Sequence, residues 1–271
     1  MILGLFACTE EGIFPDPNLD ALVRTAIDKP ESGILASELE GLTSLAASEM
    51  GITDLSGLEY CTNLTDLNLW DNRIRDLSPL ASLTNLTHLI VGHNQIRDVS
   101  PLASLPSLIN LSLHENQISD ISPLASLTNL TELWLYDNQI RDISPLASLT
   151  NLTRLTLSQN QVRDISPLAS LSNLTGLFLY DNQISYISPL ASLINLTSLD
   201  LRKNGIIDIS SLASLTNLTS LILGENQISD ISALMDLARL EVINLAENPL
   251  TTESVNVHIP QLKERGVDVK W

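Results

Sequence analysis

The 271-residue sequence is poor in cysteine, in aromatic residues and in basic residues. Two cysteines cannot build a disulfide framework, so disulfides are not the main source of stability. Lys and Arg number 14 against 32 Asp and Glu, and the resulting net charge of -18 repels phosphate backbones and anionic lipid headgroups. No apolar run approaches the roughly 18 residues that span a bilayer. We therefore expect no nucleic-acid partner, no membrane-surface partner and no transmembrane segment.

What the sequence does have is leucine at a fixed long period. A leucine recurs every 22 residues from Leu42 to Leu240 without insertion, and the copies follow L-x-x-L-x-L-x-x-N-x-I-x-D-I-S-P-L-A-S-L-T-N. The L-x-L step has the period of two that indicates a short strand, with both leucines inward and the residue between them outward. Ser-Pro indicates the start of a single 3-10 or α-helical turn, with serine as the N-cap.

One copy cannot fold alone, because it buries too little apolar surface to offset the entropy of ordering its backbone. Stacked copies also explain the asparagine after each strand, which we expect to be a buried amide bonded to the turning backbone. These asparagines are Asn72, Asn94, Asn116, Asn138, Asn160, Asn182, Asn204, Asn226 and Asn248. The sequence therefore predicts an α/β leucine-rich-repeat solenoid: a horseshoe with a parallel sheet on its concave face and short turns on its convex face.

The period divides the chain into segments. Residues 1–13 are interpreted as a signal remnant or flexible tether, and residues 14–41, with one apolar helical stripe, as a helical N-terminal cap. Residues 42–250 hold ten 22-residue coils, the last one partial. Residues 251–271 are predicted to be a C-terminal cap, helical to Arg265 with an interruption at Pro260, followed by a last strand.

A family resemblance rests on three features: the strict 22-residue period, the phrase D-I-S-P-L-A-S-L-T-N-L-T, and the junction from Phe14-Pro15-Asp16 to Gly57-Leu58-Glu59-Tyr60. Over roughly residues 14–250 the chain resembles the internalin-type bacterial leucine-rich-repeat proteins. The resemblance implies a surface-exposed or secreted module that binds another protein through its concave face. A 22-residue period also occurs in an intracellular phosphatase regulatory subunit, which leaves a cytoplasmic scaffold as the alternative.

The outward strand positions carry the functional signal, because they differ in every coil while the convex positions repeat almost verbatim. Five of the ten aromatic residues lie there, and exposed aromatic and arginine side chains are typical of interface hot spots. The predicted partner-binding residues are Trp70, His88, His93, His114, Trp134, Tyr136, Arg154, Phe178, Tyr180 and Arg202. They predict noncovalent binding of another protein without a cofactor.

Spacing predicts a notch among these residues. Trp134 and Phe178 share one column two coils apart, about 10 Å, and Tyr136 and Tyr180 repeat this arrangement one column over. The remaining residues of the notch are Thr156 and Ser158 between the rings and Arg154 at the edge. Rings at this spacing can also stack on sugars, so a carbohydrate-binding module is a second alternative. A further alternative is that the near-identical coils have a purely structural role.

Other polar patterns favour structure over chemistry. The carboxylates that directly follow the third outward position of the coils form a line, not the cage of oxygen ligands that binds calcium. His88, His93 and His114 occupy different columns, and no cysteine accompanies them as a zinc ligand. The aspartate two residues before each turn serine is expected to accept from local backbone N–H groups, with arginines nearby to offset its charge. No G-x-S-x-G motif is present, so we expect no enzyme and no metal site.

The two cysteines have different expected roles. Cys61 stands at a leucine position and is predicted to be a buried small hydrophobe. Leu5-Phe6-Ala7-Cys8 resembles a bacterial lipoprotein cleavage box, although the seven residues before Cys8 are short for a signal and lack a basic start. Lipidation of Cys8 would place the chain outside the cytoplasm, at the cell surface; a true start at Met1 would favour the cytoplasmic scaffold.

Overall fold

The computed structural model describes residues 12–30 and 33–271. Within them, three-residue strands form one open parallel sheet of eleven strands in chain order. The strands are β1 Ser44–Ala46, β2 Asp66–Asn68, β3 His88–Ile90, β4 Asn110–Ser112, β5 Glu132–Trp134, β6 Arg154–Thr156, β7 Gly176–Phe178, β8 Ser198–Asp200, β9 Ser220–Ile222, β10 Val242–Asn244 and β11 Asp268–Lys270. The predicted leucine-rich-repeat solenoid is confirmed.

The 22-residue period sets the register of the sheet. Leu133 of β5 pairs with Leu155 of β6, and Leu155 pairs with Leu177 of β7. Only the last pairing among the described strands departs from this step, since Val242 of β10 pairs with Asp268 of β11. Residues that occupy the same place in successive coils therefore line up in columns across the sheet.

Short 3-10 turns return the chain on the opposite, convex side. Their bounds are Leu58–Tyr60, Ser78–Ser82, Ser100–Ser104, Ser122–Ser126, Ser144–Ser148, Ser166–Ser170, Ser188–Ser192, Ser210–Ser214 and Ser232–Asp236. Between the turns and the sheet lies a continuous apolar core, to which each coil contributes about seven fully buried side chains. The coil that contains β5 contributes Leu130, Leu133, Leu135, Ile140, Ile143, Leu146 and Leu149.

The asparagine after each strand forms the predicted ladder. Asn160 accepts from the N–H of Ile140 at 2.9 Å and donates to the C=O groups of Leu135 at 2.9 Å and Leu157 at 3.0 Å. One amide therefore satisfies three buried backbone groups, two of them in the preceding coil.

The turn serine is not the N-cap that we predicted. Ser78 lies inside the 3-10 segment, and the preceding Leu77 occupies the cap position. The aspartate two residues earlier supplies the capping group, because Asp76 Oδ1 accepts from the N–H of Ser78 at 2.8 Å and from its hydroxyl at 2.6 Å. A carboxylate reaches back over the turn more readily than a hydroxyl on the turn itself, which confirms the predicted role of the aspartates.

Helices lie at both ends of the sheet. At the N-terminal end are α1 Pro17–Ala26 and α2 Ala36–Leu39. Asp16 caps α1 by accepting from the N–H of Leu19 at 3.2 Å, and its other oxygen accepts from the N–H of Thr53 at 2.8 Å, which ties the helix to the first coil. Leu19 and Val23 are fully buried against the coils.

At the C-terminal end, a π-helical turn at Ser254–His258 continues into α3 Ile259–Glu264, and β11 follows. The predicted interruption at Pro260 does not occur, because Pro260 lies in the first turn of α3, where its missing N–H is tolerated, and Ile259 and Leu262 are buried. Over the described part of the chain, no helix combines the length and apolar character that crossing a membrane requires.

Candidate protein-binding face

The outward face of the sheet consists of four columns of side chains. In the coil of β5, column 1 holds Glu132, column 2 Trp134, column 3 Tyr136 and column 4 Asp137. Columns 1 and 2 belong to the strands, whereas columns 3 and 4 lie where the chain turns away from the sheet. The variable residues identified from the sequence all fall in these columns.

In the central coils, Trp134 and Phe178 lie in one column, as the 22-residue spacing predicts. Trp134, Thr156 and Phe178 are direct register partners in column 2, and both rings are half-buried. The hydroxyl of Thr156 is buried and has no hydrogen-bond partner among the described residues. Phe178 and the Arg154 stem both lie close to Gly176, since a Cβ added there would be 3.4 Å from the ring and 3.8 Å from Arg154 Cγ. Arg154 thus lies beside this aromatic column.

On the N-terminal side, column 3 holds a stacked pair that the sequence did not predict. The rings of His114 and Tyr136 are 4.5 Å apart between centroids and inclined by 15°. Gly92 makes room for this pair, because a Cβ there would lie 2.3 Å from the His114 ring. Burial lowers the pKa of His114, and burial together with Glu115 raises the pKa of Tyr136. Both rings are therefore uncharged at neutral pH and present an apolar surface.

A second ring pair lies further toward the N-terminus. Trp70 and His93 have centroids 6.1 Å apart. His93 Nδ1 is 2.7 Å from Asp71 Oδ1, and its Nε2 is 3.8 Å from Glu115. His88 lies in column 1 and does not join them. No group of three or more His, Cys, Asp or Glu residues within 12–30 and 33–271 has the arrangement of a metal site.

On the C-terminal side, charged residues are paired with one another. The Arg202 guanidinium lies 4.7 Å from the centroid of the Tyr180 ring and donates to Asp200 through Nη2 at 2.8 Å. Lys203 Nζ donates to Asp181 at 2.7 Å. The Tyr180 ring thus makes a cation–π contact with a guanidinium group of the same face.

Column 4 has an unusual backbone that sequence reasoning missed. All its members have a φ between +51° and +59°, although none is glycine. They are Glu49, Asp71, His93, Glu115, Asp137, Gln159, Asp181, Lys203, Glu225 and Glu247. This left-handed conformation lets the chain turn after each strand, and the N–H of Asp137 still donates to the C=O of Ser158 in the next coil at 2.9 Å. The carboxylates follow the edge of the sheet as a line.

Family profiles identify the chain as a leucine-rich-repeat protein. Profiles described as Leucine Rich repeats (2 copies) match residues 40–82, 84–126, 128–170 and 172–214, and one described as Leucine rich repeat matches 194–250. A crystal structure of internalin C2 from Listeria monocytogenes is 43% identical, covers 86% of this chain and 95% of its own, and superimposes with a TM-score of 0.72. The chain belongs to the internalin-type bacterial leucine-rich-repeat proteins.

Two further similarities are more limited. Internalin H of Listeria monocytogenes is 45% identical over 63 residues, which are 22% of this chain and 12% of that protein. The ectodomain of the Arabidopsis thaliana receptor kinase GASSHO1/SCHENGEN3, solved in complex with Casparian strip integrity factor 2, is 24% identical with a TM-score of 0.69. The match covers 79% of this chain and 28% of the ectodomain chain, and at this identity it shows only that the two proteins share a fold. The family and the fold support a protein-interaction module.

Proposed function

We propose that this chain binds another protein noncovalently through the concave face of its solenoid, outside the bacterial cytoplasm. The observation that carries the proposal is the placement of five of the chain's ten aromatic residues in columns 2 and 3. Half-buried rings that have no core to fill contribute to binding because a partner can cover their remaining surface. The membership of the internalin-type family supports the same use of this face.

The charged side chains of the face indicate which charge a partner should carry. From β1 to β10 the four columns hold ten carboxylates and three basic side chains, namely Arg154, Arg202 and Lys203. Two of these bases are already paired with carboxylates of the same face. A partner that brings Lys or Arg side chains to the aromatic columns is therefore favoured over an acidic one, both by attraction and by cation–π contact.

The experiment compares two variants of the purified chain on an array of extracellular protein domains and on a glycan array. Replacing Trp134 and Phe178 by Ala is expected to weaken the strongest protein interaction at least about ten-fold, the loss typical of hot-spot residues, without lowering the melting temperature. Tyr60→Ala is the matched control, because Tyr60 is an exposed aromatic on a convex turn. Unchanged affinity of the double variant would contradict binding through the concave face. Binding to glycans alone would favour the carbohydrate-binding alternative.

The extracytoplasmic location is proposed from the Leu5-Phe6-Ala7-Cys8 box, and Cys8 lies outside the described residues. The natural protein is tested by N-terminal mass measurement combined with cell fractionation. A diacylglyceryl group on Cys8 in the membrane fraction supports a lipid-anchored surface protein. An unmodified chain that starts at Met1 in the cytosolic fraction would instead support the intracellular scaffold.

A further inference from the structure

Away from the concave face, arginine and glutamine side chains form a ladder where the chain leaves the sheet. Arg141 Nε donates to Gln161 Oε1 at 2.8 Å, and one coil further Arg163 Nε donates to Gln183 Oε1 at 2.7 Å. The arginines thus bond to glutamines of the next coil. An open cavity of about 420 Å³ lies here, lined by Arg141, Asp142, Gln161, Arg163, Asp164 and Gln183.

The hydrogen-bond inventory of this cavity leaves donors in excess. Each arginine uses only Nε, so the Nη groups of Arg141 and Arg163 and the two glutamine NH₂ groups have no partner among the described residues. Both oxygens of Asp164 are engaged, one by the N–H of Ser166 at 2.8 Å and one by the Ser166 hydroxyl at 3.0 Å. Within the part of the chain that the structure describes, Asp142, which also lines the cavity, accepts only from the N–H of Ser144 at 2.8 Å, so the free donors still outnumber the free carboxylate oxygens. The cavity therefore suits a ligand that is rich in acceptors, and carboxylates match guanidinium groups best.

The next coil breaks the pattern of the aspartate caps. In eight coils an aspartate accepts from the N–H of the turn serine at 2.8 Å: Asp54, Asp76, Asp98, Asp120, Asp142, Asp164, Asp208 and Asp230. In the coil of β7 this residue is Tyr186, which cannot supply the carboxylate. Tyr186 is also 67% exposed, so its ring is not needed for packing. The coil has given up a stabilising cap for an exposed aromatic side chain.

A second exposed apolar residue lies in the coil after Tyr186. Ile207 is 65% exposed and stands in the following coil, at a position that is arginine or serine in the coils of β2 to β7. The N–H of Gly205 donates to the C=O of Ile184 at 2.8 Å, so the two coils lie side by side here, about 4.8 Å apart. Gln183, which lines the cavity, belongs to the same coil as Tyr186. The cavity and the two exposed apolar residues therefore lie in neighbouring coils.

We propose that Arg141, Arg163, Gln183, Tyr186 and Ile207 form a second protein-binding surface, which we term the flank site, for an acidic segment of a partner protein that also carries an apolar side chain. Partner carboxylates pair with the two guanidinium groups, and the apolar side chain covers Tyr186 and Ile207. Tyrosine and arginine beside one another are the composition of an interface hot spot. The flank site is separate from the concave face, and its cavity holds two arginines and two aspartates, so the preference for carboxylates comes from the free guanidinium groups and not from a net positive charge.

The chain carries its own control three coils earlier. Arg75 and Arg97 donate through Nε to Gln95 and Gln117, both at 2.9 Å, and line a similar cavity of about 300 Å³. The residues equivalent to Tyr186 and Ile207 are here Asp120 and Arg141, so this second ladder lacks the apolar pair. Variants of Arg75 and Arg97 therefore test whether an arginine ladder without the apolar residues is enough to bind the acidic segment.

The probe is a fluorescein-labelled twelve-residue peptide that repeats Glu-Asp-Leu, with a Lys-Lys-Leu repeat as the charge control. Its anisotropy is measured with the full chain and with three variants: Tyr186→Asp, Arg141→Ala with Arg163→Ala, and Arg75→Ala with Arg97→Ala. The first two are expected to weaken binding of the acidic peptide about ten-fold or more, and the third less than about two-fold. Trp134→Ala with Phe178→Ala is expected to leave this affinity unchanged.

Thermal unfolding separates lost binding from lost folding. Tyr186→Asp restores the aspartate cap of Ser188, so this variant is expected to melt at the same or a higher temperature while it binds the acidic peptide more weakly. The proposal is overturned if the acidic peptide shows no saturable binding, if the two arginine pairs contribute equally, or if Tyr186→Asp binds like the unmodified chain. Binding of a sulfated oligosaccharide that needs the arginines but not Tyr186 would equally overturn it, because it would identify a general polyanion groove.

Discussion

Replacing Asn160 by Ala tests whether the asparagine ladder holds the coils together. The substitution leaves the N–H of Ile140 and the C=O groups of Leu135 and Leu157 without the amide that satisfies them. Each buried backbone group without a partner costs about 1–3 kcal/mol, and two such groups already give a loss of about 2–6 kcal/mol. The free energy of unfolding is measured by urea denaturation followed by far-ultraviolet circular dichroism.

Two matched variants sharpen this test. Asn160→Asp keeps the size and the acceptor but removes the donors and places a carboxylate among carbonyl oxygens, so we expect it to destabilise at least as much as Ala. Asn151→Ala removes an asparagine on the exposed convex side, which makes one bond to the C=O of Thr128 at 2.8 Å. Water can replace that bond, and we expect a loss below about 1 kcal/mol. Equal effects of Asn151→Ala and Asn160→Ala would refute the reasoning.

Two further predictions concern titratable groups. Burial, with Glu59 adding to it, raises the pKa of the Cys61 thiol to about 12, so in a Cys8→Ser variant Cys61 should not react with a thiol reagent at pH 8 until urea unfolds the chain. Bonds from the N–H and hydroxyl of Ser166 lower the pKa of Asp164 below its usual value of 3.8. Its stabilising effect is therefore complete above about pH 5 and lost as pH falls through the folded-state pKa, so the melting temperature should drop from pH 5 to pH 3, and less so in Asp164→Asn. A drop of the same size in Asp164→Asn would contradict this account.

The repeat architecture could be predicted from the sequence in detail, because a solenoid with a constant period has only one way to stack its coils. The same step of 22 residues that aligns Leu133 with Leu155 also places Trp134, Thr156 and Phe178 in one column. The positions of the candidate binding residues in these columns therefore follow from the period alone. The buried asparagines could also be predicted, because the same backbone groups need a partner in every coil. The helices at the ends could be predicted because the apolar end of a stack must be covered.

The tertiary structure decided the contacts between neighbouring coils that no period specifies. The serine N-cap was wrong because Ser78 lies inside the turn, where its own N–H and hydroxyl both donate to Asp76. Arginines on the flank bond to glutamines of the next coil, and the His114 ring lies against Tyr136 because Gly92 leaves space for it.

The flank site depends on the same kind of information. Tyr186 is one irregular residue in the sequence, and only the stacking of adjacent coils places it in the coil between Ile207 and the arginine ladder. The period of the sequence determined where each backbone segment lies. Side-chain rotamers, and the competition among donors and acceptors across coils, determined which groups meet.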